Sequence, residues 1–225
     1  MTLPKESTHA SAKAGDITLG YYEAGEPTGV GGDLPLVMLH GGGPGASAWS
    51  NFGAALPRFA LSFRTILVDQ PGFGTSDKPP VVGNYYRFAA DHVVSLLDEL
   101  GIDRVHLLGN SLGGGTAMRL ALSHPDRVGR LVLMGPGGLS LNLFHADPTE
   151  GVQRLMDFAG NPTREALRAF ISTMVVNQDL VTDELVEERF ADATAPGARE
   201  AMASMGMSFW NPETAEDGLL WREAH

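Results

Sequence analysis

The sequence predicts an α/β fold in which a mostly parallel sheet is covered by helices on both faces. Short apolar runs bounded by glycine, proline or aspartate recur up to about residue 140, and amphipathic segments lie between them. Strands that alternate with helices are typical of parallel sheets, because each crossover needs a long connection. A chain of 225 residues, 43% of them hydrophobic, is also long enough to bury a sizeable core in one large domain.

Four apolar runs rich in Val, Leu and Ile are predicted to be strands buried on both faces. They occupy residues 34–40, 63–69, 105–109 and 130–135. Two segments with apolar residues at helical spacing, 86–101 and 115–125, are predicted to be helices. The segment DITLGYYEAG, residues 16–25, alternates in polarity and is predicted to be an antiparallel edge strand.

The pattern changes after about residue 140, where buried-strand runs give way to helical ones. These segments begin near Asp, Asn, Thr or Gly and carry apolar residues three or four positions apart. The sequence therefore predicts a core over residues 1–140, a helical lid over 141–214 and a return to the core over 215–225.

A G-x-S-x-G motif, Gly109-Asn110-Ser111-Leu112-Gly113, lies where the third predicted strand meets a helix. This strand-turn-helix context exposes a serine at a sharp turn, with the next backbone N–H at a helix N-terminus. The alternative is a glycine-rich turn that holds a serine by chance, which the three features together disfavour. Ser111 is predicted to be a nucleophile and Leu112 to offer an N–H to a developing oxyanion.

The segment HGGGPGASAWSNF, residues 40–52, follows the first buried strand. A glycine-rich loop at this place can bring a second backbone N–H to the oxyanion, so Gly42 and Gly43 are the predicted donors. The loop alone would also suit a phosphate group. It lacks the lysine and serine or threonine of a P-loop and the G-x-G-x-x-G spacing of a dinucleotide site.

Four segments together, HGGGPGASAWSNF, VDQPGFGTSDKP, GNSLGGGTAMRLAL and LVLMGPGGL, resemble the α/β-hydrolases that cleave carbon–carbon bonds in meta-cleavage products. The resemblance covers nearly the whole chain and is greatest to the branch that acts on opened steroid A rings. It implies an α/β-hydrolase fold with an inserted lid and hydrolysis of a 2-hydroxy-6-oxo-dienoate without metal or organic cofactor. Homo-oligomers are usual in that family.

The resemblance also implies roles for three polar residues. Asn51 and Asn110 would hydrogen-bond the polar end of the dienoate, and Arg189 in the lid would bind its carboxylate through the guanidinium fork. Without the resemblance, Arg189 is better interpreted as a solvated charge on an acidic helix.

The triad order of this fold places an acid and then a histidine after the lid. After the lid the sequence has no further strand, acid-bearing turn or Gly-His loop, and His225 is the last residue. We therefore expect a C-terminally incomplete fold that exposes a strand edge and apolar faces, an inactive chain, and low solubility or association. No histidine is predicted to be the base; the seven are His9, His40, His92, His106, His124, His145 and His225. His40 is expected to order the glycine loop, and Asp69 to shape a turn beside the site.

The composition excludes several classes of function. A net charge of −11 disfavours nucleic acid and anionic membranes as partners, and the absence of cysteine excludes thiolate metal sites and disulfides. No signal peptide and no apolar run of about 18 residues is found, which predicts a cytoplasmic protein. An esterase, a haloperoxidase-like hydrolase or a non-catalytic small-molecule binder remain alternatives. A haloalkane dehalogenase would need aspartate in place of Ser111.

Overall fold

The computed structural model describes residues 3–27, 29, 32–139 and 148–224. Its centre is a six-stranded sheet with the order β1-β2-β4-β3-β5-β6. The strands are β1 (His9–Ala14), β2 (Ile17–Ala24), β3 (Leu36–Leu39), β4 (Thr65–Val68), β5 (Val105–Asn110) and β6 (Val128–Met134). β3 pairs in parallel with β4 and β5, and β5 in parallel with β6, whereas β1, β2 and β4 pair antiparallel. The predicted α/β fold with a mostly parallel sheet is confirmed.

Two predictions about individual strands are wrong. The edge strand is β1, a segment for which no strand was predicted, and the antiparallel strand β2 lies one position inside the sheet. β6 is not buried on both faces, since Val132 and Met134 are 52% and 48% exposed. The reason is its position: within the described residues β6 pairs with β5 alone.

Helices cover both faces of the sheet, as predicted. On one face lie α4 (Tyr85–Glu99) and α5 (Leu112–Ser123), whose apolar sides share a core with inward residues such as Val37 and Leu107. The opposite face is covered by α2 (Ala48–Phe52) and α3 (Leu56–Phe59), which pack near Met38. A short helix, α1 (Lys5–Thr8), precedes β1.

Among the described residues, four helices follow the sheet: α6 (Glu150–Gly160), α7 (Arg164–Ser172), α8 (Asp183–Ala193) and α9 (Ala198–Ser208). Thr163 and Thr182 cap α7 and α8 by accepting backbone N–H bonds, which explains why these helices begin at threonine. α6, α7 and α8 share an apolar core that includes Phe158 and Leu167. The predicted lid boundary at residues 140 and 141 lies outside the described residues.

A return segment, residues 211–224, runs from α9 back to the sheet. It contains two short 3₁₀ turns, Ala215–Gly218 and Leu220–Arg222. The Leu220 side chain is fully buried, and the backbone N–H of Trp221 donates to the carbonyl of Gly138.

An ion pair ties the return segment to α5. The guanidinium of Arg119, which is 2% exposed, donates to both carboxylate oxygens of Glu223 at 2.6 and 3.0 Å and to the carbonyl of Asp217 at 2.7 Å. Arg119 lowers the pKa of the Glu223 carboxyl below its ordinary value by hydrogen bonding to the charged form.

None of the helices within the described ranges combines the length and apolar character needed to cross a membrane.

Candidate active site

Ser111 lies at the N-cap of α5, immediately after β5, and its backbone is strained. Its φ is 51° and its ψ −113°, and among the described residues it is the one non-glycine residue with positive φ. The strain is held by three backbone hydrogen bonds: Ser111 N–H donates to Met134, and Gly115 and Gly137 donate to the Ser111 carbonyl. Such a costly conformation persists only where its surroundings impose it, and is typical of functional sites.

The two flanking glycines of the motif are required by close backbone contacts. A Cβ on Gly109 would overlap the carbonyl of Gly113, and a Cβ on Gly113 would overlap the carbonyl of Leu39 and lie 2.6 Å from that of His40. The N–H of Gly113 donates to the His40 carbonyl at 3.1 Å. The turn around Ser111 therefore packs directly against the end of β3.

The glycine loop lies beside this turn. A Cβ on Gly41 would be 3.5 Å from the Ser111 Cβ, and a Cβ on Gly42 would lie 2.6 Å from the Leu112 side chain. Within the described part of the chain, the backbone N–H groups of Gly42, Gly43 and Leu112 donate to no acceptor. Unpaired backbone donors next to a nucleophile are suited to a negatively charged oxygen.

Asn51 and Asn110, both predicted from the family resemblance, are in contact. The side-chain amide of Asn110 donates to the Asn51 Oδ1 at 3.0 Å, and the backbone N–H of Gly41 donates to the same oxygen at 3.0 Å. The two asparagines therefore lie next to Ser111, at the base of the glycine loop.

Arg189 reaches the other end of the loop from α8. Its Nε and Nη2 donate to the Pro44 carbonyl at 2.9 and 2.7 Å, and a Cβ on Gly45 would overlap the Arg189 carbonyl. Burial lowers the pKa of the guanidinium below its ordinary value. The interpretation of Arg189 as a solvated helix charge is therefore wrong. The structure brings all seven predicted site residues together, and it adds Phe170 of α7, whose ring lies against Gly43.

His40 and Asp69 hydrogen-bond backbone groups of the segments around the site, as predicted. The N–H of Gln70 donates to the His40 Nε2 at 3.0 Å, so the proton is on Nδ1, which donates to the Gly41 carbonyl at 2.8 Å. The buried Asp69 carboxylate accepts from Ala48 N–H at 2.6 Å and from the N–H and hydroxyl of Thr75 at 2.9 Å. Sequence reasoning did not single out Gln70, whose side-chain amide donates to the His40 carbonyl.

Burial, opposed by the nearby Asp69 carboxylate, lowers the pKa of His40 below its ordinary value of 6.5. As the pH falls through 6.5, the unfolded chain binds a proton that the folded chain refuses. We therefore expect the free energy of unfolding to decrease below pH 6.5, with a slope of up to about 1.4 kcal/mol per pH unit from this group. Urea unfolding between pH 7.5 and 5.5 measures the slope. His40→Gln, which preserves one donor and one acceptor, should flatten it, and equal slopes would contradict the assignment.

The other described histidines contact residues away from Ser111. His9 bonds Thr75, His92 contacts the Phe88 carbonyl and Asp16, and His124 lies near Asp91. His106 accepts from the N–H of Arg130. Two histidines, His145 and His225, lie outside the described residues.

A groove of about 660 Å³ between α7 and α8 is lined by charged residues and contains none of the predicted site residues. Its arginines are already paired, Arg164 with Glu187 and Arg168 with Asp183. In the ranges that the structure describes, no group of three His, Cys, Asp or Glu side chains is arranged to hold a metal ion.

Comparison with known proteins identifies the fold family of the chain. Residues 35–211 match the family model described as alpha/beta hydrolase fold. A 2-hydroxy-6-oxo-6-phenylhexa-2,4-dienoate hydrolase of Burkholderia cepacia is 42% identical over 158 residues, which is 70% of this chain and 55% of the relative. A 2-hydroxymuconate semialdehyde hydrolase of Pseudomonas sp. (strain CF600) is 40% identical over 175 residues, 78% of this chain and 59% of the relative.

A solved structure, that of a serine-to-alanine mutant of the meta-cleavage product hydrolase from Pseudomonas fluorescens IP01, superposes with a TM-score of 0.78 at 32% identity. The match covers 94% of this chain and 72% of that one. The chain spans 55% and 59% of the length of the two curated relatives named above.

Proposed function

Because the chain belongs to the alpha/beta hydrolase fold family, with meta-cleavage product hydrolases among its homologues, we propose that Ser111 serves the hydrolytic cleavage of a carbon–carbon bond in a 2-hydroxy-6-oxo-dienoate. One observation carries the proposal. Ser111 is held at a strained turn beside three backbone N–H groups, those of Gly42, Gly43 and Leu112, that have no acceptor among the described residues. This arrangement suits attack on a carbonyl carbon and stabilisation of the resulting oxyanion.

The reaction begins with ketonisation, in which the 2-hydroxyl proton is lost and C5 is protonated. Ser111 Oγ, or a water activated in the same site, then adds to the C6 carbonyl carbon. The carbonyl oxygen becomes the oxyanion that the N–H groups of Gly42, Gly43 and Leu112 bind. Collapse breaks the C5–C6 bond, and the electron pair passes through the C3–C4 double bond to the 2-oxo group, which takes a proton. In the serine route, water hydrolyses the acyl-serine to release a carboxylic acid.

The polar end of the substrate would lie between the lid and the loop. Arg189 offers the dienoate carboxylate the N–H groups that it does not use on Pro44, and Asn51 offers its amide N–H groups. The sequence resemblance favours a steroid-derived substrate over the smaller dienoates that the relatives' names specify. A bulkier acyl portion on the C6 side of the scissile bond would then lie against lid residues such as Phe170.

The general base is proposed to lie outside the described residues. A base must come within hydrogen-bonding distance of the serine hydroxyl, and the described histidines bond elsewhere. From the described residues alone, we expect dienoate binding without efficient turnover.

The test uses 2-hydroxy-6-oxo-6-phenylhexa-2,4-dienoate, whose conjugated dienolate can be followed by its absorbance, with chromatography of the benzoate product. We expect the chain to bind the dienoate, and any turnover to fall at least about 100-fold in Ser111→Ala, as is usual when a nucleophile is removed. Ser123→Ala, at the far end of α5, is the matched control.

The alternatives give different results. Equal and measurable turnover by the wild type and by Ser111→Ala would refute the assignment of Ser111 as the nucleophile. Binding with no turnover in the product of the native gene would favour a non-catalytic binder, and faster turnover of p-nitrophenyl acetate than of the dienoate would favour an esterase.

A further inference from the structure

Asn51 makes two hydrogen bonds through one atom. Its Oδ1 accepts from the backbone N–H of Gly41 and from the side-chain amide of Asn110, both at 3.0 Å. A backbone N–H can only donate, so the Gly41 bond fixes which end of the Asn51 amide is the oxygen. The same bond fixes the Asn110 amide, which must present its nitrogen to Asn51 and its oxygen elsewhere.

This shared oxygen joins two separate parts of the site. Gly41 begins the glycine loop that follows β3, whereas Asn110 ends β5 and precedes Ser111. Among the described residues, no other side chain bonds both segments. Asn51 therefore provides a side-chain link between the loop and the turn at Ser111, in addition to the backbone bond from Gly113 to His40.

The helix that carries Asn51 is itself firmly held. α2 begins with a reciprocal capping box between Ser47 and Ser50, and its first N–H, that of Ala48, donates to the buried Asp69 carboxylate at 2.6 Å. Asp69 directly follows β4, so α2 is anchored to the centre of the sheet. A side chain on such a rigid element can hold its partners in a defined position.

We propose that Asn51 is a positioning residue, which holds Gly42 and Gly43 at the correct distance from Ser111 by binding Gly41 and Asn110 on one oxygen. At the other end of the loop, Arg189 binds the Pro44 carbonyl, so the N–H donors lie between two fixed points. The inference rests on the proposed function for its catalytic meaning. It differs from substrate binding, because the part of Asn51 that acts is the oxygen, which a dienoate carboxylate cannot use.

Two substitutions separate the oxygen from the amide N–H groups. Asn51→Asp retains an acceptor at the same place and loses the N–H donors, whereas Asn51→Ala loses both. The Asn51 side chain is exposed, so neither variant disturbs the core. Two properties are measured on the whole chain: the hydrogen exchange rate of the Gly41 amide by NMR, and the affinity for phenylboronic acid. Phenylboronic acid lacks the dienoate carboxylate, and its addition to a serine hydroxyl, with loss of the hydroxyl proton, gives an anionic tetrahedral boronate.

We expect Asn51→Ala to raise the exchange rate of the Gly41 amide and to weaken boronic acid binding, each by about 10-fold, the value of one lost hydrogen bond. Asn51→Asp should remain within about 3-fold of the wild type in the Gly41 exchange rate, whereas its carboxylate charge should oppose binding of the anionic boronate adduct. Wild-type behaviour of Asn51→Ala, or an equal rise of the Gly41 exchange rate in both variants, would overturn the positioning role. If Ser111→Ala binds the boronic acid as well as the wild type does, the proposed function fails instead. The Gly41 exchange rates then still decide the role of Asn51.

Discussion

Replacing Gly113 with alanine is expected to lower the free energy of unfolding by about 3 kcal/mol, the upper part of the range for overpacking a rigid interior. The new methyl group would overlap the Leu39 carbonyl and lie 2.6 Å from the His40 carbonyl oxygen. Both are backbone atoms at the end of a central strand, so they cannot rotate away as a side chain would. For a chain of this size, thermal unfolding should shift downward by about 6 to 12 °C.

Gly206→Ala is the matched control, because Gly206 also lies inside a helix, α9, but has open space where its Cβ would be. Alanine is a better helix former than glycine, so this variant should be more stable by up to about 1 kcal/mol. Urea unfolding of both variants measures the difference. Similar stability of the two variants would mean that the turn at Ser111 does not pack against β3 as described.

Replacing Arg119 with methionine is expected to lower the free energy of unfolding by about 2 to 3 kcal/mol. Removing one partner of a buried ion pair can cost about 3 to 5 kcal/mol, but here the remaining Glu223 side chain is 47% exposed and can be solvated. The loss also includes the hydrogen bond to the Asp217 carbonyl. Since these contacts bind the return segment to α5, proteolysis of the segment should become faster.

Arg222→Met is the control for this prediction. Arg222 pairs with Glu216 at the surface of the same segment, with side chains 50% and 84% exposed, and such pairs are worth at most about 1 kcal/mol.

The contribution of Arg119 to the free energy of unfolding should also decrease in acid. The lowered pKa of Glu223 means that its stabilising charge is present at neutral pH and is lost as the pH falls through the folded pKa, below 4.5. Equal unfolding midpoints for the Arg119 and Arg222 variants would mean that the Arg119 contacts do not stabilise the return segment as described.

The sequence predicts well those strands whose own residues are nearly all apolar, because their burial can be inferred without knowing their neighbours in the sheet. β3 is apolar throughout, β4 is apolar except for Thr65, and both are buried, so a window of a few residues is enough to find them. β1 was missed because HASAKA contains small and polar residues, and it forms a strand only through its pairing with β2. The exposure of β6 depends on its place at the sheet edge, which no local pattern reports.

The features of the site also fall into two groups, those that a local sequence pattern predicts and those that only tertiary contacts create. The turn at Ser111 is encoded locally, because its glycines are needed where the backbone has no room for a Cβ. The contacts of Arg189 with Pro44 and of Asn51 with Gly41 join residues 145 and 10 positions apart, and only the packing of helices on the loop creates them. The family resemblance located these side chains, but the pairing of Asn51 with a main-chain donor could be found only in the folded structure.

The contact between α8 and the glycine loop has a consequence for timing. Gly45 lies directly against the Arg189 backbone, and the Arg189 guanidinium donates two hydrogen bonds to the Pro44 carbonyl. Any motion that swings α8 away to admit a ligand must therefore release one end of the loop that presents the N–H donors. While α8 is displaced along such a route, the N–H donors of the loop are not held in place. The site is then competent for reaction only after α8 has returned to its position in the structure.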